Sequence, residues 1–285
     1  MPVAVEHIRR MRGGAQAHLM RCSDGGYYVV KFQNNPQAVR GGRILANELL
    51  GTRLAARLGL PTPPAAVVEV RQELVDLSEE LVIQIGMSRA KCRAGFQFGS
   101  QFPGEPAEVA VHDFLPDERL GEVENLSDFV GALVFDIWTR NTNGRQAIFF
   151  QPDRWLAGVA PGSLPRAEPR GYQAQLIDQG FVFNAGEWNF PDAPLRGLYA
   201  RHRVYESVRG MQSFEPWFER LKHINERVLD EVAKEVPPEW IDAPEGSGHD
   251  ALFGLLEQLR RRRKQVPDLI LDAKKSYRQP FVNWR

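Results

Sequence analysis

The chain has 285 residues, of which 43% are hydrophobic and 25% charged, and its 36 basic and 36 acidic side chains cancel. This length accommodates one large domain or two lobes that share a cleft, and we favour two lobes. The balanced charge argues against nucleic acid or an anionic membrane surface as a partner. No run approaches the roughly twenty apolar residues that span a bilayer, which excludes an integral membrane protein.

The two cysteines, Cys22 and Cys92, are too few to form a structural zinc site by themselves. The sequence also opens without a signal-peptide pattern. Both observations predict a cytoplasmic protein whose thiols stay reduced and inert.

The first part of the chain is predicted to form a small sheet with one helix. Between Val3 and Phe32, glycine turns separate short apolar runs, as is typical of hairpins. From Gly42 to Leu58 apolar residues recur at helical spacing, and Gly59 followed by Pro61 provides a stop. Further strands are predicted at Val67 to Val70, Leu81 to Ile85 and Phe96 to Phe98, before an apolar connector at Val111 to Leu115.

The second part is predicted to be mostly helical. A helix is expected at Leu126 to Trp138, and two amphipathic helices at Phe214 to Val236 and Asp250 to Lys274. Short strands are expected at Ala147 to Phe150 and Gln175 to Ile177. A segment rich in proline, glycine and arginine, Gln151 to Tyr172, is expected to be a surface excursion. We therefore predict a first lobe at residues 1–115 and a helical lobe at residues 116–285.

Three features of the first lobe, taken in order, indicate phosphate handling. Gly13 and Gly14 lie in a turn where backbone amides can approach phosphate, although a plain hairpin turn is the better explanation of them when they are taken alone. Lys31 closes an apolar strand, where a lysine points into a cleft or stays solvated. Glu48 lies on the following helix and is able to pair with Lys31. A glycine turn, a strand lysine and a helix glutamate occur in this order in the small lobe of protein kinases.

These segments resemble the bacterial HipA-like kinases. The matching runs are GGAQ from Gly13, VVKF around Lys31, and LANELL around Glu48, which continues into LAARLGLPTP. In the second lobe, FDIWTRNTNGRQ from Phe135 resembles the catalytic loop of the family, and IDQG from Ile177 resembles its metal-binding element. The resemblance implies an α+β, two-lobed, protein-kinase-like fold. It also implies a phosphotransferase that uses ATP and Mg²⁺ to modify a protein serine or threonine, or a small-molecule hydroxyl.

The resemblance implies roles for individual residues. Glu48 would orient Lys31, and the connector around residue 113 would face the adenine. The implied nucleotide contacts are Gly13, Gly14, Gln16, Lys31, His112, Phe114 and Arg145. The implied metal ligands are Asp178 and, through its amide oxygen, Gln146. For Arg145 a surface position is an equal alternative.

The match departs from the family at the catalytic position. Asn143 stands where the family has an aspartate, and an amide cannot act as a general base near neutral pH. The protein therefore either uses ATP differently or is an inactivated variant. A third hypothesis is that deamidation at the Asn143-Gly144 dipeptide creates an acid there. Asp136 either replaces the missing acid in part or is a buried hydrogen-bonding group.

Two other functions stay open on the sequence alone. One is a nucleotide-binding pseudokinase that acts as an interaction module, and the other is a kinase-fold enzyme that transfers another part of ATP. The chain begins at the glycine turn, without the extra N-terminal subdomain of full HipA toxins, which argues against an antitoxin-bound arrangement. The basic run from Arg260 to Lys264 is interpreted as a solvated helix face.

Overall fold

The computed structural model describes residues 1–37, 43–152, 171–191, 197–241, 247–276 and 279–285. Its strands are β1 (Ala4–Arg10), β2 (His18–Cys22), β3 (Tyr27–Lys31), β4 (Ala65–Val70), β5 (Val82–Ile85), β6 (Ser88–Lys91), β7 (Gly95–Gln101), β8 (Val111–His112), β9 (Gln146–Phe150) and β10 (Gln173–Ile177). Its α-helices are α1 (Arg43–Arg57), α2 (Gln72–Leu77), α3 (Asp128–Thr139), α4 (Glu215–Lys222), α5 (Glu226–Ala233), α6 (Gly248–Arg262) and α7 (Val266–Ser276). Short 3-10 helices lie at Asp117–Glu122, Ala185–Glu187, His202–Tyr205, Met211–Phe214, Pro238–Trp240, Arg263–Gln265 and Gln279–Phe281.

A five-stranded antiparallel sheet in the order β1-β2-β3-β7-β4 forms the first lobe. Val30 of β3 is fully buried on one face, among the residues that pack against β1 and α2. Because side chains alternate along a strand, Lys31 points to the other face, together with Phe98 directly opposite it on β7. Phe98 packs in the same apolar cluster as α1. The last residue of β3 therefore faces helix α1.

Helix α1 is buried on nearly all sides between this sheet and the second lobe. Such a helix is expected to be apolar around its whole circumference, yet it buries Asn47, Glu48 and Thr52. It ends where Gly59 adopts a left-handed conformation and Leu60 N donates to Ala55 O, as the Gly59 and Pro61 stop signal predicted. The buried polar groups of α1 need partners from other elements.

The second lobe contains a three-stranded antiparallel sheet in the order β10-β9-β8, and most of the helices. Ile177 at the end of β10 lies opposite Gln146 at the start of β9, which places the loops that precede β9 and follow β10 side by side. Helix α3 runs through the core of this lobe and is buried from Phe129 to Thr139. Strand β8 of the connector pairs with β9, so residues 111–112 join the sheet of the second lobe.

The two long helices predicted in the second lobe are wrong as single helices. The first is broken into α4 and α5, since the Asn225 side chain accepts a hydrogen bond from Val228 N and starts a new helix. The second is broken into α6 and α7 by the 3-10 turn that precedes Pro267, because proline lacks the N–H that a continuous helix needs. Helix α2 and strand β6 were not predicted. Gly42 and residues 153–170 of the expected surface excursion lie outside the described residues.

Gly131 is where α3 meets α4, and it should tolerate no side chain. A Cβ atom there would lie 2.0 Å from Trp217 Nε1, whereas a Cβ on Gly254 of α6 would meet nothing within 4 Å. We expect Gly131→Ala to lower the free energy of unfolding by about 1–3 kcal/mol through overpacking. Gly254→Ala should raise it by about 0.5–1 kcal/mol through helix propensity. Urea denaturation measures both, and equal effects would contradict the contact.

Candidate nucleotide and phosphoryl-transfer site

The ammonium group of Lys31 lies between two carboxylates at the junction of the lobes. Its Nζ atom donates to Glu48 Oε1 on α1 and to Asp178 Oδ1, 2.7 Å away, just after β10. The exposed fractions of the three side chains are only 12%, 2% and 15%. Three elements that are distant in sequence therefore meet at one buried cation.

Charge explains how these groups ionise together. Burial alone would lower the pKa of Lys31, but the carboxylates of Glu48 and Asp178 outweigh that effect and raise it. Burial alone would raise the pKa of Asp178, but the Lys31 ammonium holds it below its usual value. Burial raises the pKa of Glu48 despite the Lys31 ammonium, so Asp178 is the carboxylate better suited to hold a further cation.

Asp178 has a left-handed backbone, with φ of 63°, which is uncommon for a residue other than glycine. Such conformations cost free energy and persist where the surroundings fix them, often at functional sites. Here the Asp178 side chain is fixed at both oxygens, because Oδ1 accepts from Lys31 and Oδ2 accepts from Gln146 Nε2 at 2.7 Å. The backbone aims the carboxylate at the junction of the lobes.

The oxygen atoms at Asp178 and Gln146 suit a magnesium ion that takes most of its ligands from bound phosphate and water. Mg²⁺ is usually bound through one or two carboxylates together with phosphate oxygens and water, rather than by a complete protein cage. Within the residues that the structure describes, no group of three His, Cys, Asp or Glu side chains is placed to hold a metal ion. Gln146 offers an amide oxygen next to Asp178 if its amide turns over. These donors would form part of a coordination shell that a bound ligand completes.

Asn143 lies in the loop between α3 and β9, next to the segment that follows Asp178. Its backbone N donates to Asn141 Oδ1 at 3.0 Å, and its own Oδ1 accepts from Gly144 N at 2.9 Å. The neighbouring Thr142 N donates to Phe181 O at 3.0 Å, which joins the two loops. Asn143 is half-buried, so its amide borders solvent beside the site.

Arg145 and Asp136 form a fully buried ion pair under this loop. Both side chains have 0% exposure, and Arg145 Nε donates to Asp136 Oδ2 at 2.9 Å. The same guanidinium also donates to Ile177 O and Gln179 Oε1, each at 3.0 Å. The expected phosphate contact of Arg145 and its alternative, a surface position, are therefore both wrong. Asp136 cannot replace the missing acid, since its oxygens are occupied by Arg145 and Asn141.

The glycine turn between β1 and β2 is fixed by Gln16. Gln16 Nε2 donates to Gln84 O at 2.8 Å, and Gln16 Oε1 accepts from Gln84 N at 2.7 Å, which ties the turn to β5. The Gln16 side chain is therefore engaged with β5, and its contact with phosphate stays a prediction. Gly13, with φ of 114°, leaves its Cβ position open, so the backbone of the turn is the part that a ligand can approach.

The connector side chains expected near adenine lie on the surface. His112 is exposed and its ring meets the edge of Tyr172, with 5.9 Å between the ring centroids. Phe114 is 60% exposed, and the Arg201 guanidinium lies 4.5 Å from its ring centroid. Their contact with adenine stays a prediction.

Comparison with known proteins bears directly on this geometry. The family model of the HipA-like kinases matches residues 4–148, just over half of the chain, including β3, α1 and the Asn143 loop. The chain belongs to the HipA-like kinase family. No curated protein matches it significantly.

Solved structures show that this HipA-like kinase has a protein-kinase-like fold. The Golgi casein kinase shares 13% identity, with 96% of this chain and 74% of that chain covered and a TM-score of 0.52. A structure of the Golgi casein kinase with Mn and ADP bound gives a TM-score of 0.51 at 13% identity, with the same coverage. The proinflammatory kinase CtkA of Helicobacter pylori shares 12% identity, with 95% and 96% covered and a TM-score of 0.50. The two-lobed α+β fold predicted from the sequence is therefore confirmed.

The basic run at the end of α6 bonds to other groups of this HipA-like kinase, while Arg260 and Arg261 stay exposed to solvent. Arg260 and Arg261 pair with Glu257, while Arg263 donates to the carbonyl oxygens of Lys222 and Ile224. Arg262 donates to Ile137 O, at the end of α3.

In the ranges that the structure covers, no helix is long and apolar enough to cross a bilayer.

Sequence reasoning assigned no role to Asn47, which precedes Glu48 on α1. Its side chain is fully buried and bonds the segment that follows Asp178. The available signal was an amide side chain amid Ala46, Leu49 and Leu50, where an apolar residue is expected. The polar pair at positions 47 and 48 marks the side of α1 that faces the site.

The Arg145 and Asp136 pair should be essential to stability, because either partner alone would be an uncompensated buried charge. We expect Asp136→Ala or Arg145→Ala to lower the free energy of unfolding by about 3–5 kcal/mol. The double variant should cost much less than the sum, which a double-mutant cycle by urea denaturation measures. Lys275→Ala, which removes an exposed ion pair, is the control and should change nothing measurable. Additive losses would contradict a direct pairing.

Proposed function

We propose that this HipA-like kinase is an ATP- and Mg²⁺-dependent phosphotransferase that acts on a protein serine or threonine, with a small-molecule hydroxyl as a second class of acceptor. The observation that carries the proposal is the placement of Lys31 between Glu48 and Asp178. A strand lysine paired with a helix glutamate beside a metal-binding aspartate is the phosphate-handling set of protein kinases. We place the site between lobes at residues 1–115 and 116–285, with β8 at the end of the first range pairing into the sheet of the second lobe.

The residues present have complementary roles toward a bound nucleotide. Lys31 is held in place by Glu48 and offers its charge to phosphate oxygens. Asp178, with the amide oxygen of Gln146, would hold Mg²⁺, and the backbone of the turn at Gly13 would cover the phosphates. Bound ATP would supply the γ-phosphoryl group that is transferred, and Mg²⁺ would offset the negative charge of the phosphates. The carboxylate of Asp178, whose pKa the Lys31 ammonium holds below its usual value, supports this metal position.

Asn143 determines what the site can do with the acceptor. Its amide oxygen accepts a hydrogen bond and is able to orient an incoming hydroxyl, but it cannot take up the proton near neutral pH. Phosphoryl transfer depends mainly on positioning and on electrostatic stabilisation, so the loss of a base slows transfer without abolishing it. We therefore propose a slow kinase.

A second candidate function rests on the same residue. With Asn143 in place of the acid, the protein would serve as a nucleotide-binding pseudokinase that acts as an interaction module. A third, transfer of another part of ATP such as the nucleotidyl group, requires the nucleotide in a different orientation. Nucleotide binding is common to all three, and the identity of the transferred group separates them.

Nucleotide binding should depend on metal through Asp178. At ligand concentrations near 100 times Kd, binding stabilises a protein by about 2.7 kcal/mol. For a chain of this size that is on the order of 5 °C in the melting temperature with MgATP or MnADP. Asp178→Ala should lose the metal-dependent part of this shift, whereas the exposed-site control Asp76→Ala should keep it. If nucleotide does not change the melting temperature of the unmodified protein, the proposed function is rejected.

Phosphoryl transfer should respond to an acid at position 143. We expect Asn143→Asp to raise γ-phosphate transfer to the protein itself or to a cell lysate roughly 10²-fold, because a general base contributes about 10²–10⁴-fold. Asn143→Ala should fall below the unmodified protein, since it also loses the orienting hydrogen bond. Scintillation counting with ATP labelled at the γ or α phosphate measures the transfer.

The labelling separates the candidate functions. Label from the γ position in the unmodified protein supports a slow kinase, and label only in Asn143→Asp supports a pseudokinase. Label from the α position supports nucleotidyl transfer. Peptide mapping of residue 143 in the assayed sample tests the deamidation hypothesis. An active sample in which Asn143 is unmodified would eliminate it.

A further inference from the structure

Asn47 of α1 holds the segment that follows Asp178 through one buried amide. Its Nδ2 atom lies 2.9 Å from Gly180 O, 3.0 Å from Val182 O and 2.7 Å from Ala185 O. Its Oδ1 atom accepts from the indole Nε1 of Trp188 at 2.7 Å. One side chain therefore bonds four positions along residues 180–188, which we call the metal segment together with Asp178 and Gln179.

These partners permit only one orientation of the Asn47 amide. An amide nitrogen has two hydrogens and only donates, while the amide oxygen only accepts. Turning the amide over would place the oxygen against three carbonyl oxygens and the NH₂ group against the Trp188 N–H. With three carbonyls near two hydrogens, at least one hydrogen is shared. The site is specific for an amide of this length.

The metal segment has a backbone that needs such support. Phe183, Asn184 and Ala185 each have φ of 57°, and Trp188 has φ of 54°. Left-handed conformations cost roughly 1–2 kcal/mol per residue, and consecutive ones are rare outside glycine. Conformations of this kind persist only where the surroundings fix them. The carbonyls of Val182 and Ala185 flank this left-handed run, and both bond to Asn47.

Helix α1 and the metal segment also fit at contact distance beside Asn47, at Glu48 and Gly51. Glu48 Oε2 accepts from Gln179 N at 2.9 Å. A Cβ atom on Gly51 would lie 2.7 Å from Gln179 Cβ, and one on Gly180 would lie 2.9 Å from Glu48 Oε1. Rotation of α1 would break the Asn47 bonds and disturb the close contacts at Gly51 and Gly180. The helix and the segment are thus built as one unit.

We infer that Asn47 is a positioning residue that fixes α1 to the metal segment, so that Lys31, Glu48 and Asp178 are assembled without an activating step. In protein kinases, the lysine–glutamate pair and the metal aspartate must both be in place, and helix movement and loop phosphorylation control this. Here a constitutive hydrogen-bonded contact replaces that control. The part of the inference that concerns nucleotide rests on the proposed function.

The test compares Asn47→Asp, Asn47→Ala and Trp188→Phe with two controls. Asn47→Asp keeps the volume and the Trp188 contact but sets a carboxylate oxygen against the three carbonyls, and Trp188→Phe removes only the indole donor. Arg53→Ala, also on α1, removes an ion pair with Glu235 away from the site. Ile270→Val, in the core of the second lobe, reports mild loss of global stability.

Two measurements are made on each purified variant of the whole 285-residue chain. The first is hydrogen exchange at the amides of Gln179, Phe183 and Asn184, which donate to Glu48, Thr139 and Arg140. The second is the ratio of the ADP dissociation constants without and with Mn²⁺, which reports the placement of Asp178. A loss of ADP affinity that is the same with and without metal cancels in this ratio. If Asn47→Asp does not fold, Asn47→Ala and Trp188→Phe carry the comparison.

We expect exchange in the metal segment to rise at least about 10-fold in the Asn47 variants, less in Trp188→Phe, and not in the controls. The Mn²⁺-dependent gain in ADP affinity should fall about 10-fold in the Asn47 variants, while metal-free affinity changes little. Unchanged exchange, or a retained Mn²⁺ gain in Asn47→Ala, overturns the inference and leaves the proposed function standing. If the unmodified protein binds no ADP, the proposed function and the nucleotide part fail, and exchange alone decides whether Asn47 fixes the segment.

Discussion

One ammonium group between two carboxylates organises this HipA-like kinase. Lys31 ends a strand of the first lobe, Glu48 lies on the buried helix α1, and Asp178 follows the last strand of the second lobe. None of these charges would tolerate burial alone, because an unpaired ion in a low-dielectric interior is costly. Each carboxylate therefore needs the lysine, and the position of one group requires the positions of the other two. The lobes are joined electrostatically at the place where we propose that phosphate binds.

The segment around Asp178 is held from two directions, which gives it a single conformation despite its left-handed residues. From the first lobe, Asn47 and Glu48 bond its carbonyl and amide groups. From the second lobe, Arg145 bonds Ile177 O and Gln179 while it neutralises Asp136. These bonds from both lobes favour one arrangement, although the buried Gln179 Nε2 atom has no hydrogen-bond partner among the described residues. The left-handed backbone around Asp178 is held by contacts with both lobes.

In the proposed function, the features for binding phosphate and those for accepting a proton are separate. Binding would depend on Lys31, Glu48 and Asp178, which the fold brings together. Proton transfer would depend on one side chain, the amide of Asn143, and the nearby Asp136 is fully engaged by Arg145. Replacing a half-buried acid by an amide of the same size leaves the loop intact, since its backbone bonds to Asn141 and Phe181 do not involve the missing charge.

The sequence by itself determined the types of most elements, the end of α1 at Gly59, and the order of Lys31, Glu48 and Asp178, because periodicity and short motifs are local properties of the chain. It could not determine that Arg145 turns inward, that Gln16 binds β5, or that two predicted helices are each broken. Only the tertiary structure decided those points, and it alone revealed Asn47, whose partner Gly180 lies 133 positions away. The physical reason is that a polar side chain takes its role from the groups that surround it after folding, whereas strand and helix periods are written in neighbouring residues.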